Sequence, residues 1–217
     1  MREVSIVIPN YNGKHFLEDC LKAVFAQDIE NMEVIVVDNG STDGSQEYLS
    51  TYPGVRNITL EKNYGFCGAV NAGIKAAMSD YVILLNNDTE VDKNFTKELL
   101  TAIKSDEKIF SCSSKMVQFY DRNRMDDAGD YYCALGWAFG RGKGGLVENY
   151  NDQKPIFASC AGAAIYRKKM LESLGYFDEK HFAYLEDNVQ NYKNPNLKVL
   201  EKVKTQIEQS QKNKNIL

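Results

Sequence analysis

The feature that most constrains this chain is a short apolar run that stops abruptly at two amides and an acid. Tyr81-Val82-Ile83-Leu84-Leu85 is followed at once by Asn86-Asn87-Asp88-Thr89. Unbroken apolar character over so short a run reads as a strand covered on both faces. Such a strand needs helices above and below it. In open α/β sheets, ligands bind just beyond the carboxyl ends of these strands. A carboxylate at Asp88, flanked by amides, is well placed there to hold a cation or a sugar hydroxyl. A solvated turn fits the same residues, because Asn and Asp are ordinary turn formers.

The first half repeats the motif. Val4 to Ile8, Glu33 to Val37 and Val55 to Leu60 read as further strands. Helices are expected from His15 to Phe25, Ser45 to Ser50, Gly65 to Ala77 and Phe95 to Ile103. Strands alternating with helices imply a parallel sheet with right-handed crossovers. Beyond residue 110 the rhythm changes. Ser111 to Tyr120 holds one more expected strand, and Asp126, Asp127 and Asp130 read as a solvated acidic loop. Tyr131 to Gly145 mixes aromatics with glycines, as a hairpin or flap would. There Trp137, Tyr131, Tyr132 and Phe139 suit a sugar platform, core packing or a flap hinge. Phe157 to Tyr166 reads as a strand, and Lys168 to Leu174 as a short helix stopped by Gly175. Asn194-Pro195 opens a last helix with a Val199/Val203/Ile207 stripe. With no linker composition between the halves, residues 1–217 are read as a single domain.

Composition excludes several classes. The net charge of −4 gives no general case for nucleic acid. Residues 188–217 nevertheless carry six Lys and two Glu, a basic end that suits peripheral contact with an anionic membrane. Five scattered cysteines without a Cys-x-x-Cys pair imply reduced thiols and a cytoplasmic setting. The chain enters its first strand directly, so no signal peptide is expected. No apolar run approaches the roughly 20 residues that a membrane helix needs.

In this topology Pro9-Asn10-Tyr11-Asn12, Asp38-Asn39, Asn63 and Asp88 all fall along one edge of the sheet. Four polar strand ends together suggest a nucleotide-sized cleft. Asp38 or Asn39 suits a base or ribose, and Asp38 equally suits a turn. Ser41-Thr42-Asp43 has the composition of a helix N-cap. Gly65, Gly68 and Gly73 permit close backbone approach. Neither Gly-x-x-x-x-Gly-Lys-Ser/Thr nor Gly-x-Gly-x-x-Gly follows the first strand, which argues against a phosphate-binding loop and a dinucleotide dehydrogenase.

These same residues carry a family resemblance. Val4-Ser5-Ile6-Val7-Ile8-Pro9-Asn10-Tyr11-Asn12, Val36-Val37-Asp38-Asn39-Gly40-Ser41-Thr42-Asp43-Gly44, Asn63-Tyr64-Gly65-Phe66 and Leu85-Asn86-Asn87-Asp88-Thr89 resemble glycosyltransferase family 2, its rhamnosyltransferase-like members most of all. Gly162-Ala163-Ala164, Tyr166-Arg167, Gly175-Tyr176-Phe177-Asp178-Glu179 and Phe182-Ala183-Tyr184-Leu185-Glu186-Asp187 continue the likeness. The resemblance implies a GT-A fold: a Rossmann-like, mostly parallel α/β sheet flanked by helices, with an elaborated acceptor-side second half. It divides the chain into a nucleotide-sugar half over 1–110, an acceptor-side half over 111–187, and a divergent, shortened C-terminal helix over 188–217.

The resemblance further implies an inverting transfer from a dTDP- or UDP-linked sugar to a saccharide or lipid-linked acceptor, in cell-wall polysaccharide biosynthesis at the inner face of the membrane. Asp88 corresponds to the acid of the family's metal-binding motif, holding Mg²⁺ or Mn²⁺. Asp187 corresponds to the general base, with Glu186 beside it positioning the acceptor. Pro9, Tyr11, Asn12, Asp38, Asn39, Asn63, Gly65, Asn86, Asn87, Gly162 and Ala163 fall at substrate-binding positions. After Asp187 the run Asn188-Val189-Gln190-Asn191 departs from the family, lacking its Asp-Leu and Arg positions and its later histidine. A nucleotide-sugar-binding subunit without transferase activity is the alternative reading, and a nucleotidyltransferase a more distant one.

Overall fold

The structure is a computed structural model, described over residues 2–133, 135 and 137–182. Glu186, Asp187 and the C-terminal helix expected from Asn194 lie outside the described residues.

Strands β1 (Val4–Asn10), β2 (Met32–Asp38), β3 (Val55–Thr59) and β4 (Tyr81–Leu85) alternate with helices α1 (Lys14–Phe25), α2 (Ser45–Thr51), α3 (Gly65–Ala76) and α4 (Phe95–Lys104). They are followed by β5 (Ser111–Ser113), β6 (Met116–Val117), β7 (Met125–Asp127), β8 (Asp130–Tyr132), β9 (Ala138–Gly140), β10 (Ala163–Arg167) and α5 (Lys168–Leu174). The central sheet has the order β3-β2-β1-β4-β10-β5. Its first four strands are parallel, while β10 runs antiparallel to both neighbours.

Apolar residues on both faces of each strand explain the three layers. In β1, Val4, Ile6 and Ile8 pack with Leu17, Leu21, Val24, Leu49, Leu99 and Ile103 under α1, α2 and α4. Val7 faces the other way, joining Ile35, Val70, Ile74, Tyr166 and Phe177 under α3 and α5. Each such side chain, fully buried, contributes roughly 1.5–3 kcal/mol. Gly73 lets α3 seat directly on β1: a Cβ there would lie 2.2 Å from a Val7 methyl.

Three expectations need correction. Only Ala163–Arg167 of the stretch from Phe157 is a strand; Phe157 and Ala158 instead bond across to Asp130. Ser111 to Tyr120 splits into β5, in the main sheet, and β6, in a separate ladder with β7. Asp126, Asp127 and Asp130 sit on β7 and β8, not in a solvated loop. Burial, with Asp130 and Asp126 nearby, pushes the Asp127 carboxyl up despite the N–H it receives from Gly129. The hairpin expected over Tyr131 to Gly145 is present as β8–β9. The stop at Gly175 is also present, in a left-handed conformation (φ 82°).

Arg167, where β10 passes into α5, ties the far edge together. Its guanidinium donates to Ile109 O (2.7 Å), Ile103 O (2.6 Å), Asp106 O (2.9 Å) and the Tyr81 hydroxyl (3.2 Å). It therefore satisfies carbonyls at the C-terminus of α4, where a cation is favoured. Arg167→Ala should lower stability by about 2–4 kcal/mol in urea unfolding, and Arg167→Lys should recover only part, lacking the planar fork.

Candidate active site at the carboxyl edge of the sheet

Each polar strand end arrives at the same edge, and side chains stitch them together. The Asn10 amide donates to Asp38 Oδ2 (3.0 Å) and Ser41 Oγ (3.3 Å). Its oxygen accepts from Asn87 Nδ2 at 2.7 Å, joining β1 to the end of β4. Asp38, fully buried, also accepts from Ser41 N and Gln46 Nε2, each at 3.0 Å. Its carboxylate thus shapes the β2–α2 loop. Asn39 holds the next loop: it donates to Asn63 Oδ1 (2.9 Å) and Gly65 O (3.0 Å), and accepts from Tyr64 N (2.9 Å). Exposed Asn12 accepts from Thr42 N at 2.8 Å. The rings of Tyr11 and Tyr64 stand half exposed on the same loops, with Pro9 partly buried near the end of β1.

Ser41-Thr42-Asp43 is not a simple N-cap, since Gly44 occupies that position without a side-chain bond. Asp43 instead accepts N–H groups from Ser45 (3.0 Å) and Lys14 (2.9 Å), the first residues of α2 and α1. Burial would raise its carboxyl, but these bonds and the Ser45 hydroxyl outweigh burial and hold it below the ordinary range.

The Asp88 turn differs in kind. Asn86 N donates to Gly162 O (2.8 Å), and the Thr89 hydroxyl closes back on Asn86 O (2.7 Å). Asn87 is held by Asn10. Asp88, at the corner of this turn, is exposed, and its carboxylate accepts no hydrogen bond among the described residues. Beneath it Cys20 donates to Asn86 O, and burial, reinforced by the Asp88 charge, pushes its thiol up to about 12. That thiol is inert at neutral pH. Gly162 lies against the Asn86 amide: a Cβ there would sit 3.3 Å from it. Ala163 next to it is buried in the core beneath.

The chain returns to this edge from the far side. Asn71 of α3 donates to Phe177 O (2.9 Å) and Glu179 Oε1 (3.0 Å), and accepts from Phe177 N (3.1 Å). Phe182 O then accepts from Phe66 N at 2.8 Å. Gly65 permits this approach. Its φ is +76°, and a Cβ would come within 2.5 Å of Phe182 O. His181 is partly buried, and no group of three His, Cys, Asp or Glu among the described residues is placed to hold a metal.

The sequence places Asn10 on this edge but shows no role for it, and it does not single out Gly13 or Ser41 as part of the network. Asn10 is the hub of the network, and Gly13 covers it. A Cβ at 13 would fall 2.2 Å from the Asn87 amide. The available signal was the polar residue closing an otherwise apolar strand, followed closely by Gly.

A mostly parallel sheet between helices, with polar side chains gathered along its carboxyl edge and an exposed acid in the turn after β4, defines a GT-A fold. The family model described as "Glycosyl transferase family 2" matches residues 5–175, and the chain belongs to that family. Glycosyltransferase GlyG of Streptococcus pneumoniae serotype 4 is 26% identical over 184 residues, covering 83% of this chain and 60% of GlyG. The crystal structure of S. aureus TarS 1-349 in complex with UDP superimposes with a TM-score of 0.63 at 20% identity, over 88% of this chain and 54% of that one. The mannosyltransferase PcManGT from Pyrobaculum calidifontis, in complex with GDP-Man and Mn²⁺, gives 0.64 at 18% identity, over 89% and 52%. The chain thus spans roughly half to three fifths of the length of these proteins.

Proposed function

We propose that the chain is an inverting glycosyltransferase, moving a hexosyl group, rhamnose among the candidates, from a nucleoside-diphosphate donor to a saccharide or lipid-linked acceptor. The observation that carries this reading is the exposed Asp88 carboxylate, unpaired among the described residues and lifted by the Asn86–Thr89 turn beside a row of anchored amides. UDP in one structural neighbour and GDP-Man with Mn²⁺ in another support a nucleotide-sugar donor. UDP or dTDP is the nucleotide we favour.

A lone exposed carboxylate is a hard oxygen donor, so Asp88 would hold Mg²⁺ or Mn²⁺ only together with the donor's diphosphate oxygens. When bound, such an ion supplies Lewis-acid neutralisation of charge on the departing diphosphate. The protein's own groups do the rest. Residues 9–12, Asn39 and Asn63 present the loops that cradle the nucleoside, and Asn86 and Asn87 fix the turn that carries Asp88. Asp187 takes the proton from the acceptor hydroxyl. That oxygen attacks the anomeric carbon from the face opposite the leaving group. The bond to diphosphate breaks, its electron pair leaves with the phosphate oxygen, and the configuration inverts. What supports Asp187 here is the course of the chain: Phe182 is anchored on α3 at the catalytic edge. Glu186 would position the acceptor.

In this reading residues 1–110 bind donor and 111–187 face the acceptor, on the cytoplasmic side at the inner face of the membrane, in polysaccharide assembly. No helix among the described residues is long and apolar enough to cross a membrane, and the basic stretch 188–217 would supply surface contact.

The test is thermal unfolding with UDP, dTDP or GDP, each with Mn²⁺. At about 100 times Kd a ligand adds about 2.7 kcal/mol, a rise of about 5–10 °C for a chain of this size. The rise should shrink when EDTA removes the cation. An unchanged midpoint with all three nucleotides would contradict the reading.

A further inference from the structure

The two faces of the β8–β9 hairpin have different neighbours. Tyr132 lies on one face and stacks on Phe157, with ring centroids 5.2 Å apart. Tyr131 pairs with Phe139 on the other, their rings 5.8 Å apart. Cys133 N donates to Trp137 O, which extends the ladder and puts Trp137 at the alternate position on the same face as Phe139. Trp137 is 72% exposed and Phe139 53%, so this face is no part of the core.

We propose that Tyr131, Trp137 and Phe139 form a binding face for uncharged pyranose units of the acceptor, away from the point of transfer. Three observations select this occupant. The stretch 131–140 contains no charged residue, so an acidic ligand finds no complement there. The aromatic rings follow one another at alternate positions on an open ribbon. A pyranose lays its flat C–H face on such a ring while its hydroxyl rim stays in water. The ribbon is also rooted beside the transfer edge. Asp130 bonds to Ala158, and only Ser159-Cys160-Ala161 separates Ala158 from Gly162, at most about 14 Å of chain. Gly162 O receives the Asn86 N–H beside Asp88. A saccharide with its end at Asp88 and earlier units on the hairpin fits that layout.

Other occupants fit less well. Anionic bilayers attract clustered Lys and Arg. The cations next along the chain are engaged, Arg141 with Asp152 O and the Tyr150 ring, and Lys143 with Asp126. A stable contact between two copies needs about 800 Å² from each, far more than this short ladder offers. The proposal rests on the glycosyl-transfer reading and specifies its acceptor as a chain of several sugar units.

Trp137 is the only tryptophan, so its fluorescence reports on this face alone. Titrating the full chain with cellotetraose and with chitotetraose should shift the emission to the blue and lessen quenching by acrylamide for at least one of them. Phe139→Ser should weaken that affinity about tenfold, and Phe139→Tyr, which keeps the ring, should preserve it. A shift with neither tetrasaccharide would overturn the proposal. So would a shift produced only by phosphatidylglycerol vesicles, or one that follows protein concentration without sugar. The UDP, dTDP and GDP melting experiment on the same wild-type sample reads the donor site separately, so loss of the acceptor face and loss of the transferase reading are distinguishable.

Discussion

Replacing Asp88 by Asn should reduce sugar transfer by about 10²–10³-fold and leave the melting midpoint of the free protein unchanged. The two halves of that expectation have separate causes. The exposed carboxylate accepts no hydrogen bond among the described residues, so folding loses nothing when its charge goes. The turn that lifts it is built from Thr89 on Asn86 O, Asn86 on Gly162 O and Asn87 on Asn10, and all of these bonds survive. What disappears is the anionic ligand that the proposed site would offer to a hard cation beside the diphosphate. A variant that melts at a lower temperature, or transfers at the original rate, would contradict this assignment. Asn10→Ala makes a useful contrast. It removes a buried hub bonded to Asp38, Ser41 and Asn87, so it should destabilise the fold as well.

Asp187→Asn should reduce kcat by about 10²–10⁴-fold, the usual contribution of a general base, while the nucleotide-induced rise in melting temperature persists. An amide cannot take the acceptor proton, yet it is nearly the same size and leaves the donor loops untouched. The pH profile supplies a second readout. With Asp187 as base, the rate falls on the acid side as the carboxylate is protonated, and the Asn variant loses that limb. Full transfer by the Asn variant would remove Asp187 from the mechanism.

The first half of the fold was legible because each element is long enough to show its period. Ile6, Val34 and Ile83 lie in continuous apolar runs, and Leu17, Leu21 and Val24 recur at helical spacing. The second half was less so. A strand of two residues such as β6 has no period to read, and β7 carries two acids that look like loop composition. The antiparallel direction of β10 depends on its pairing with Leu85 and Ser113, which no local pattern encodes. The site divides in the same way. The position of Asp88 just past β4 was visible because polar residues follow an apolar run. The role of Asn10 was not, because its partner Asn87 is 77 residues away. Asp38 suited a ligand contact or a turn equally well in sequence, and only its burial and three donors place it under the loop. Arg167 belonged to a family motif, yet its physical work is at the end of α4, on the opposite edge from the cleft.

The most direct measurement is the anomalous scattering of Mn²⁺ in crystals of the chain grown with UDP. A manganese peak is expected within coordination distance of the Asp88 carboxylate and the diphosphate, with the Asp187 carboxylate facing it. A peak remote from Asp88, or an Asp187 that opens onto another surface, would contradict it.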